Sequence, residues 1–162
     1  KRGMNLKQAE VHGMSQRGGD VQSHLRFSDD PIWSDLIPYG SADMILSVEP
    51  LEALRYLPYL KEDGWIISNS TPFKNIPNYP PEEEIYREIK KIPNYVLFDA
   101  DTLANAQKAN RSMNIVVLGA AITHLGFSQE EIEEAIKTIF APKGEAIVEA
   151  NLRALLAGIE TK

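Results

Sequence analysis

The sequence predicts an α/β fold: a mostly parallel, Rossmann-like sheet with helices on both faces and a helical C-terminal third. Three observations predict it. Apolar strand-like runs alternate with helix-like runs through the first two thirds of the chain. Two of those runs, Met44–Val48 and Trp65–Ser68, are short and continuously apolar, as strands covered on both faces are. Beyond Asp101 the apolar residues recur at helical spacing.

The first two strands are expected over Lys7–Met14 and Val21–Phe27. In the second, Val21, Ser23, Leu25 and Phe27 fall on one side and Gln22, His24 and Arg26 on the other. That period of two marks a strand with one buried face. Ser28 to Ala42 is a connector holding Pro31, Pro38 and Gly40. After the strand Met44–Val48, Pro50 suits a first helical turn, and Leu51, Leu54, Leu57 and Leu60 recur on one face of a helix over Pro50–Leu60. Pro58 should limit or kink that helix, and Asp63-Gly64 reads as the turn into Trp65–Ser68. A parallel crossover follows from this strand–helix–strand order.

Thr71 to Pro81 carries four prolines and is a loop. Its Phe73, Ile76 and Tyr79 make it a candidate interface. Glu82–Lys91 is a short charged helix with Glu83 and Arg87 spaced for an i,i+4 pair. A fifth strand is expected at Tyr95–Phe98. Asp101 or Thr102 would cap a helix entering Leu103–Lys108. Ile115–Leu125 is apolar nearly all round and reads as a buried helix whose Gly119-Ala120-Ala121 permits close backbone approach. Ser128 and Glu131 form a capping-box pattern ahead of Ile132, Ile136 and Ile139, and Ala146–Ile159 repeats apolar residues at helical spacing. No internal repeat or second domain boundary appears, so residues 1–162 are expected to form a single domain.

Composition narrows the function. A net charge of −6 without a basic stripe argues against nucleic acid as a partner. The longest apolar run, Ile115 to Leu125, is 11 residues, against roughly 20 for a membrane span, so no membrane partner is expected. The absence of cysteine excludes disulfides and cysteine-ligated iron–sulfur clusters within the chain. His12, His24 and His124 are too dispersed to suggest a metal site, and no metal ligand is assigned. No Gly-x-Ser-x-Gly, His-Glu-x-x-His or Walker pattern is present, so no catalytic residue is assigned either.

Candidate binding residues fall in three groups. The first is the turn Ser15, Gln16, Arg17, Gly18 and Gly19. Its glycines allow positive φ and unobstructed amide groups, and Arg17 adds a planar donor fork suited to phosphate or carboxylate. The same turn can equally be a plain hairpin connection. The second group is the rim formed by polar residues at the carboxyl ends of parallel strands: Glu49, Asn69 and Asp101. Each of these also fits a cap or turn former. The third is Asn114, three residues from Arg111 on one expected helical face and at the head of an apolar run; it either fixes a loop or meets a ligand.

The string Val11-His12-Gly13-Met14-Ser15-Gln16-Arg17-Gly18-Gly19 resembles the motif of the small, gamma-type subunit or domain of 2-oxoacid:ferredoxin oxidoreductases, and within them the beta subunit of the indolepyruvate branch. The resemblance continues through Ala42-Asp43, Glu49-Pro50, Gly64-Trp65-Ile66-Ile67-Ser68-Asn69, Asp99-Ala100, Asn114 and Leu118-Gly119-Ala120-Ala121. It implies one subunit of a cytoplasmic complex that oxidatively decarboxylates aryl 2-oxoacids with coenzyme A and passes electrons to ferredoxin. Thiamine diphosphate, Mg and iron–sulfur clusters are then expected in the large partner subunit, with a coenzyme A contact at the Arg17 turn. The isolated chain would be inactive, and homodimerisation is the alternative association open to it. Family members usually begin with a hydrophobic strand and a glycine-rich turn. Lys1–Lys7 reads instead like a helix end and its exit loop, so that first unit is expected to be missing before residue 1. The alternative reading is a non-catalytic nucleotide- or anion-binding, or purely structural, α/β module.

Overall fold

Strands β3 (Ala42–Ser47), β4 (Leu60–Asn69) and β5 (Tyr95–Phe98) form a parallel sheet in the order β3-β4-β5 in the computed structural model, which describes residues 2–12 and 21–161. Alternation along these strands sends side chains to two separate cores. Ile45, Ile66 and Leu97 meet Ala53, Ile85 and Ile89 on one face, under helices α1 (Pro50–Arg55) and α2 (Glu82–Ile89). Met44, Ile67, Val96 and Phe98 meet the other core, built by α3 (Ala100–Ala106), α4 (Met113–Leu125), α5 (Gln129–Phe140) and α6 (Glu145–Ile159). Ile66 and Ile67, adjacent in sequence and facing opposite ways, are both fully buried. Each contributes about 1.5–3 kcal/mol by leaving water. Helices thus cover both faces, as the alternating pattern predicts.

The first two strands stand apart from this sheet. β1 (Asn5–His12) and β2 (Val21–Ser28) form an antiparallel hairpin, paired from Asn5↔Ser28 to His12↔Val21. Its period of two is present, but its faces are inverted. The inward face carries Lys7, Ala9, Gln22, His24 and Arg26, with His24 buried. Leu6, Val21 and Leu25 point outward and are 64%, 60% and 51% exposed. Polar chemistry explains the inversion. His24 Nδ1 accepts the Ile37 N–H at 3.0 Å, and its ring meets Tyr59 edge-on at 5.3 Å. Arg26 donates to the carbonyls of Ser34 and Leu36, and Lys7 pairs with Asp35 at 2.8 Å. The connector after β2 is thereby tied to the hairpin by hydrogen bonds instead of by apolar burial. At the open end, Phe27 packs on Phe127, and Arg2 stacks on that ring while pairing with Glu131 and donating to the Gly126 carbonyl.

Several boundaries differ from expectation. Residues 2–4 are irregular and lead straight into β1. Helix α1 stops at Arg55, and Leu57–Tyr59 is a 3₁₀ turn that accommodates Pro58. Leu57 and Leu60 still reach the same core as Leu51 and Leu54. Asp63-Gly64 is not a turn but part of β4, where the register slips from Ala42↔Leu60 to Met44↔Trp65. A Cβ on Gly64 would strike the Leu60 side chain and crowd the Ala42 carbonyl oxygen, so that glycine serves close packing. Arg87 lies 4.0 Å from Glu88 instead of pairing with Glu83. Asp99, not Asp101 or Thr102, caps α3, which begins at Ala100. The capping box of Ser128 and Glu131 is present on α5. Along that helix Ile136 is buried, while Ile139 is 64% exposed. Helices α4 and α6 cross at Gly119 and Gly158. A Cβ on either would run into a backbone carbonyl of the other helix, Leu155 from Gly119 and Val116 from Gly158. That is the close approach the small residues of α4 foretell.

Candidate functional site

The parallel strands end in a rim of polar residues held by one another. Asn69, at the end of β4 and 1% exposed, uses both ends of its amide. Its nitrogen donates to Asp101 Oδ2 at 2.9 Å and to the Val48 carbonyl at 3.2 Å. Its oxygen accepts the N–H groups of Ala100 at 3.0 Å and Thr71 at 3.3 Å. One side chain therefore staples the exits of β3, β4 and β5.

Glu49 sits beside Val48 and caps α1 by accepting the Glu52 N–H at 2.8 Å. Its other oxygen accepts the Tyr79 hydroxyl at 2.5 Å and the Phe73 N–H at 3.4 Å. Burial first, then this carboxylate, pushes the Tyr79 phenol above its ordinary range, so it stays a proton donor. Asp99 accepts the Thr102 N–H and hydroxyl and the Thr71 hydroxyl. The Thr102 hydroxyl, then its backbone N–H, holds that carboxyl below the usual range. Tyr86 donates to the Ser70 carbonyl at 2.8 Å and closes the network from α2.

The predicted rim residues Glu49, Asn69 and Asp101 are thus brought to one place, as caps and clamps. Tyr79, Thr71 and Tyr86 complete the rim. Tyr79 was legible only as a loop aromatic, because its partner lies 30 residues away in sequence. Of the proline-rich loop, Tyr79 packs on its own domain, whereas Phe73 is 70% exposed and Ile76 41%.

Beside the rim lies a cleft of about 690 Å³ between the hairpin, β3 and α1, lined by His24, Leu46, Glu49, Tyr56, Phe73 and Tyr79 among others. Leu46 and Val48 of the β3 end are 44% and 50% exposed there, and among the described residues β3 pairs on one side only. Chemically, this cleft can take an extended backbone along the β3 edge, with apolar groups against Leu46 and Val48.

The remaining predicted residues do not gather here. Asn114 is exposed at the start of α4, and Arg111 precedes that helix in a turn, so the two do not share a helical face. Ser15, Gln16, Arg17, Gly18 and Gly19 lie outside the described residues. No group of three or more His, Cys, Asp or Glu side chains among the described residues is arranged to hold a metal ion. With no cysteine in the chain, cysteine-ligated iron–sulfur clusters do not fit it. No helix among the described residues is long and apolar enough to cross a membrane.

Comparison with known proteins agrees with this architecture. The chain is 38% identical over 170 residues to an indolepyruvate oxidoreductase subunit IorB of Pyrococcus horikoshii, covering 99% of this chain and 82% of that one. It is 35% identical to the protein of the same name from Thermococcus kodakarensis, over 98% of this chain and 81% of that one. The fold matches a 2-oxoglutarate:ferredoxin oxidoreductase from Magnetococcus marinus, solved with 2-oxoglutarate, coenzyme A and succinyl-CoA bound. There the TM-score is 0.70 at 18% identity, over 96% of this chain but only 25% of that longer one. The family model for pyruvate ferredoxin/flavodoxin oxidoreductase matches residues 1–161, and the chain belongs to that family.

Proposed function

We propose that the chain is the small subunit of a 2-oxoacid:ferredoxin oxidoreductase of the indolepyruvate type. In the complex it would complete an enzyme that oxidatively decarboxylates aryl 2-oxoacids with coenzyme A and delivers electrons to ferredoxin. The observation that carries this reading is 38% identity across 99% of the chain to a protein named as an indolepyruvate oxidoreductase subunit. The site chemistry is compatible with it. The rim's carboxylates and amide are engaged as clamps, which leaves the chemical step to cofactors elsewhere. Thiamine diphosphate, Mg and the iron–sulfur clusters belong in this reading to the large partner subunit, and the Arg17-Gly18-Gly19 turn meets coenzyme A or that partner.

The outward face of the hairpin supports docking onto the large subunit. Leu6, Val21 and Leu25 form an apolar strip that nothing among the described residues covers, with Trp33 at 92% and Tyr39 at 72% exposure on the following connector. Such strips mark association surfaces more often than free surface. A cytoplasmic location and homodimerisation of the isolated chain through this strip belong to the same reading.

The test is co-expression with the thiamine-binding large subunit from the same genome, followed by assay with indolepyruvate, phenylpyruvate, pyruvate and 2-oxoglutarate. Activity with coenzyme A and ferredoxin, highest for the aryl substrates and absent from either subunit alone, is expected. Failure of the two chains to associate would overturn the assignment; a preference for 2-oxoglutarate would overturn the substrate class.

A further inference from the structure

A second cleft, of about 760 Å³, opens where the loop between α3 and α4 meets the start of α6. Its walls hold Lys108, Arg111 and Lys143 and not one carboxylate, in a chain of net charge −6. Many bases elsewhere pair with carboxylates, among them Arg2 on Glu131, Lys7 on Asp35, Lys61 on Asp43, Lys74 on Glu82 and Lys91 on Glu88. Among the described residues, no carboxylate pairs with the three cations of the cleft. Lys143 only leans on the Phe140 ring, 5.3 Å from its centroid.

Ser112 points the same way from independent ground. It immediately precedes α4 and is 6% exposed, yet among the described residues its hydroxyl makes no cap and no other hydrogen bond. A buried hydroxyl without a partner costs about 1–3 kcal/mol in a sealed site. Every fully enclosed side-chain polar atom among the described residues does have a partner. The Ser112 hydroxyl therefore keeps an opening to solvent, and the cleft that it lines is that opening. Next to it, the backbone N–H groups of Met113 and Asn114 find no acceptor among the described residues. They carry the positive end of a 13-residue helix. On the far wall Asn151, 5% exposed, donates to the Ile147 carbonyl and keeps its amide oxygen for a donor.

We infer that this cleft binds a phosphate group, held by Lys108, Arg111, Lys143, the Ser112 hydroxyl and the first amides of α4. Charge selects phosphate over a carboxylate. A single carboxylate would neutralise one of three cations, whereas a phosphate dianion or a diphosphate engages the Arg fork, both ammonium groups and the helix end together. The free Asn151 oxygen would take a hydroxyl of the molecule that carries the phosphate. This inference rests on the cleft alone and holds whether or not the chain is an oxidoreductase subunit.

Inorganic pyrophosphate titrated into the full chain at low ionic strength, followed by ¹H–¹⁵N NMR, tests it. Saturable shifts are expected at the Met113 and Asn114 amides. Arg111→Gln combined with Lys143→Gln should weaken them at least tenfold, and Lys61→Gln should leave them unchanged. Arg111 and Lys143 are exposed and Lys61 is half-buried, and circular dichroism will show that the variants remain folded. Acetate at equal ionic strength should not move the two amides. If 5′-ADP binds more tightly than pyrophosphate, the phosphate arrives on an organic carrier; if it binds equally, the inorganic group suffices, and both results support the site. No saturable shift, an equal response to acetate, or undiminished binding by the double variant would reduce it to an adventitious ion only and overturn the inference.

Discussion

The hairpin and the three-stranded sheet use the same alternation of side chains to opposite ends. In the sheet, Ile66 and Ile67 point to opposite faces and helices bury both. In the hairpin, the apolar set Leu6, Val21 and Leu25 faces outward, and the polar set Lys7, His24 and Arg26 faces the body of the domain. Alternation alone therefore fixes that a strand has two unlike faces and not which of them the domain itself covers. The sheet is stabilised by water exclusion. The hairpin is held by directed bonds, between His24 and Ile37, Lys7 and Asp35, and Arg2 and Glu131, and its apolar side stays exposed among the described residues.

The largest effect should come from the layered body. Gly158→Val would force a side chain into the Val116 carbonyl across the α4–α6 crossing. A destabilisation of about 3 kcal/mol, at the upper end for overpacked interiors, is expected in urea unfolding of the full chain. An unchanged midpoint would show that the two helices can part freely and that the body is no tighter than the hairpin.

In the segment of sequence that joins β1 to β2, Arg17→Ala should barely alter unfolding but should impair the assembled enzyme. A lost charge-assisted contact is worth about 1.5–3 kcal/mol, or about ten- to a hundredfold in the affected step. A raised KM for coenzyme A assigns the contact to that ligand; weaker assembly with unchanged KM assigns it to the partner. Wild-type behaviour in both would leave only a connecting turn.

A smaller change sharpens the contrast directly. Leu6→Ser with Leu25→Ser should alter stability by no more than about 0.5 kcal/mol, because both side chains already face water. Association with the large subunit should weaken at least about tenfold, or about 1.4 kcal/mol, by titration calorimetry. Loss of stability on the scale of a core substitution would mean that the strip is packed after all.

The smallest effect concerns acid. Arg2 first, then the Ser128 N–H, holds the Glu131 carboxyl at about 2, below its ordinary value of 4.5. A carboxyl depressed in the folded state stabilises it fully above the unfolded value and loses that contribution as pH falls toward the folded one. Protection of the β1–β2 amides against hydrogen exchange should therefore decline between about pH 4.5 and 2. Arg2→Gln should shrink that decline. Equal pH dependence in both proteins would mean that this ion pair does not anchor the hairpin.

Much of the layered body was legible in the sequence, because it depends on local signals. Pro50 after Glu49 marks a helix start, Ser128 with Glu131 marks another, and continuous apolar runs mark covered strands. Where the expectation failed, a distant contact had decided. Gly64 reads as a turn until the Leu60 side chain and Ala42 carbonyl are found crowding it. Ser112 was overlooked because the apolar run begins three residues later, although serine directly before a helix is an ordinary start signal. The rim was partly visible, since strand ends gather polar residues. Its wiring was not: Asn69 and Asp101 lie 32 positions apart, and Glu49 and Tyr79 lie 30 apart. The exposed side of the hairpin was hidden for a different reason, since alternation does not say which face the rest of the chain covers.

That exposure has an optical consequence. The chain has two tryptophans, and they sit in the two contrasted regions. Trp33, on the connector beside the hairpin, is 92% exposed, while Trp65, in β4, stacks on His124 with ring centroids 3.7 Å apart. Indole emission moves to shorter wavelength when water leaves its surroundings, so light from Trp33 should shift to the blue as a partner docks. Light from Trp65 should respond only when the sheet itself comes apart. With Trp33→Phe and Trp65→Phe variants, assembly and unfolding become two colours read from one cuvette.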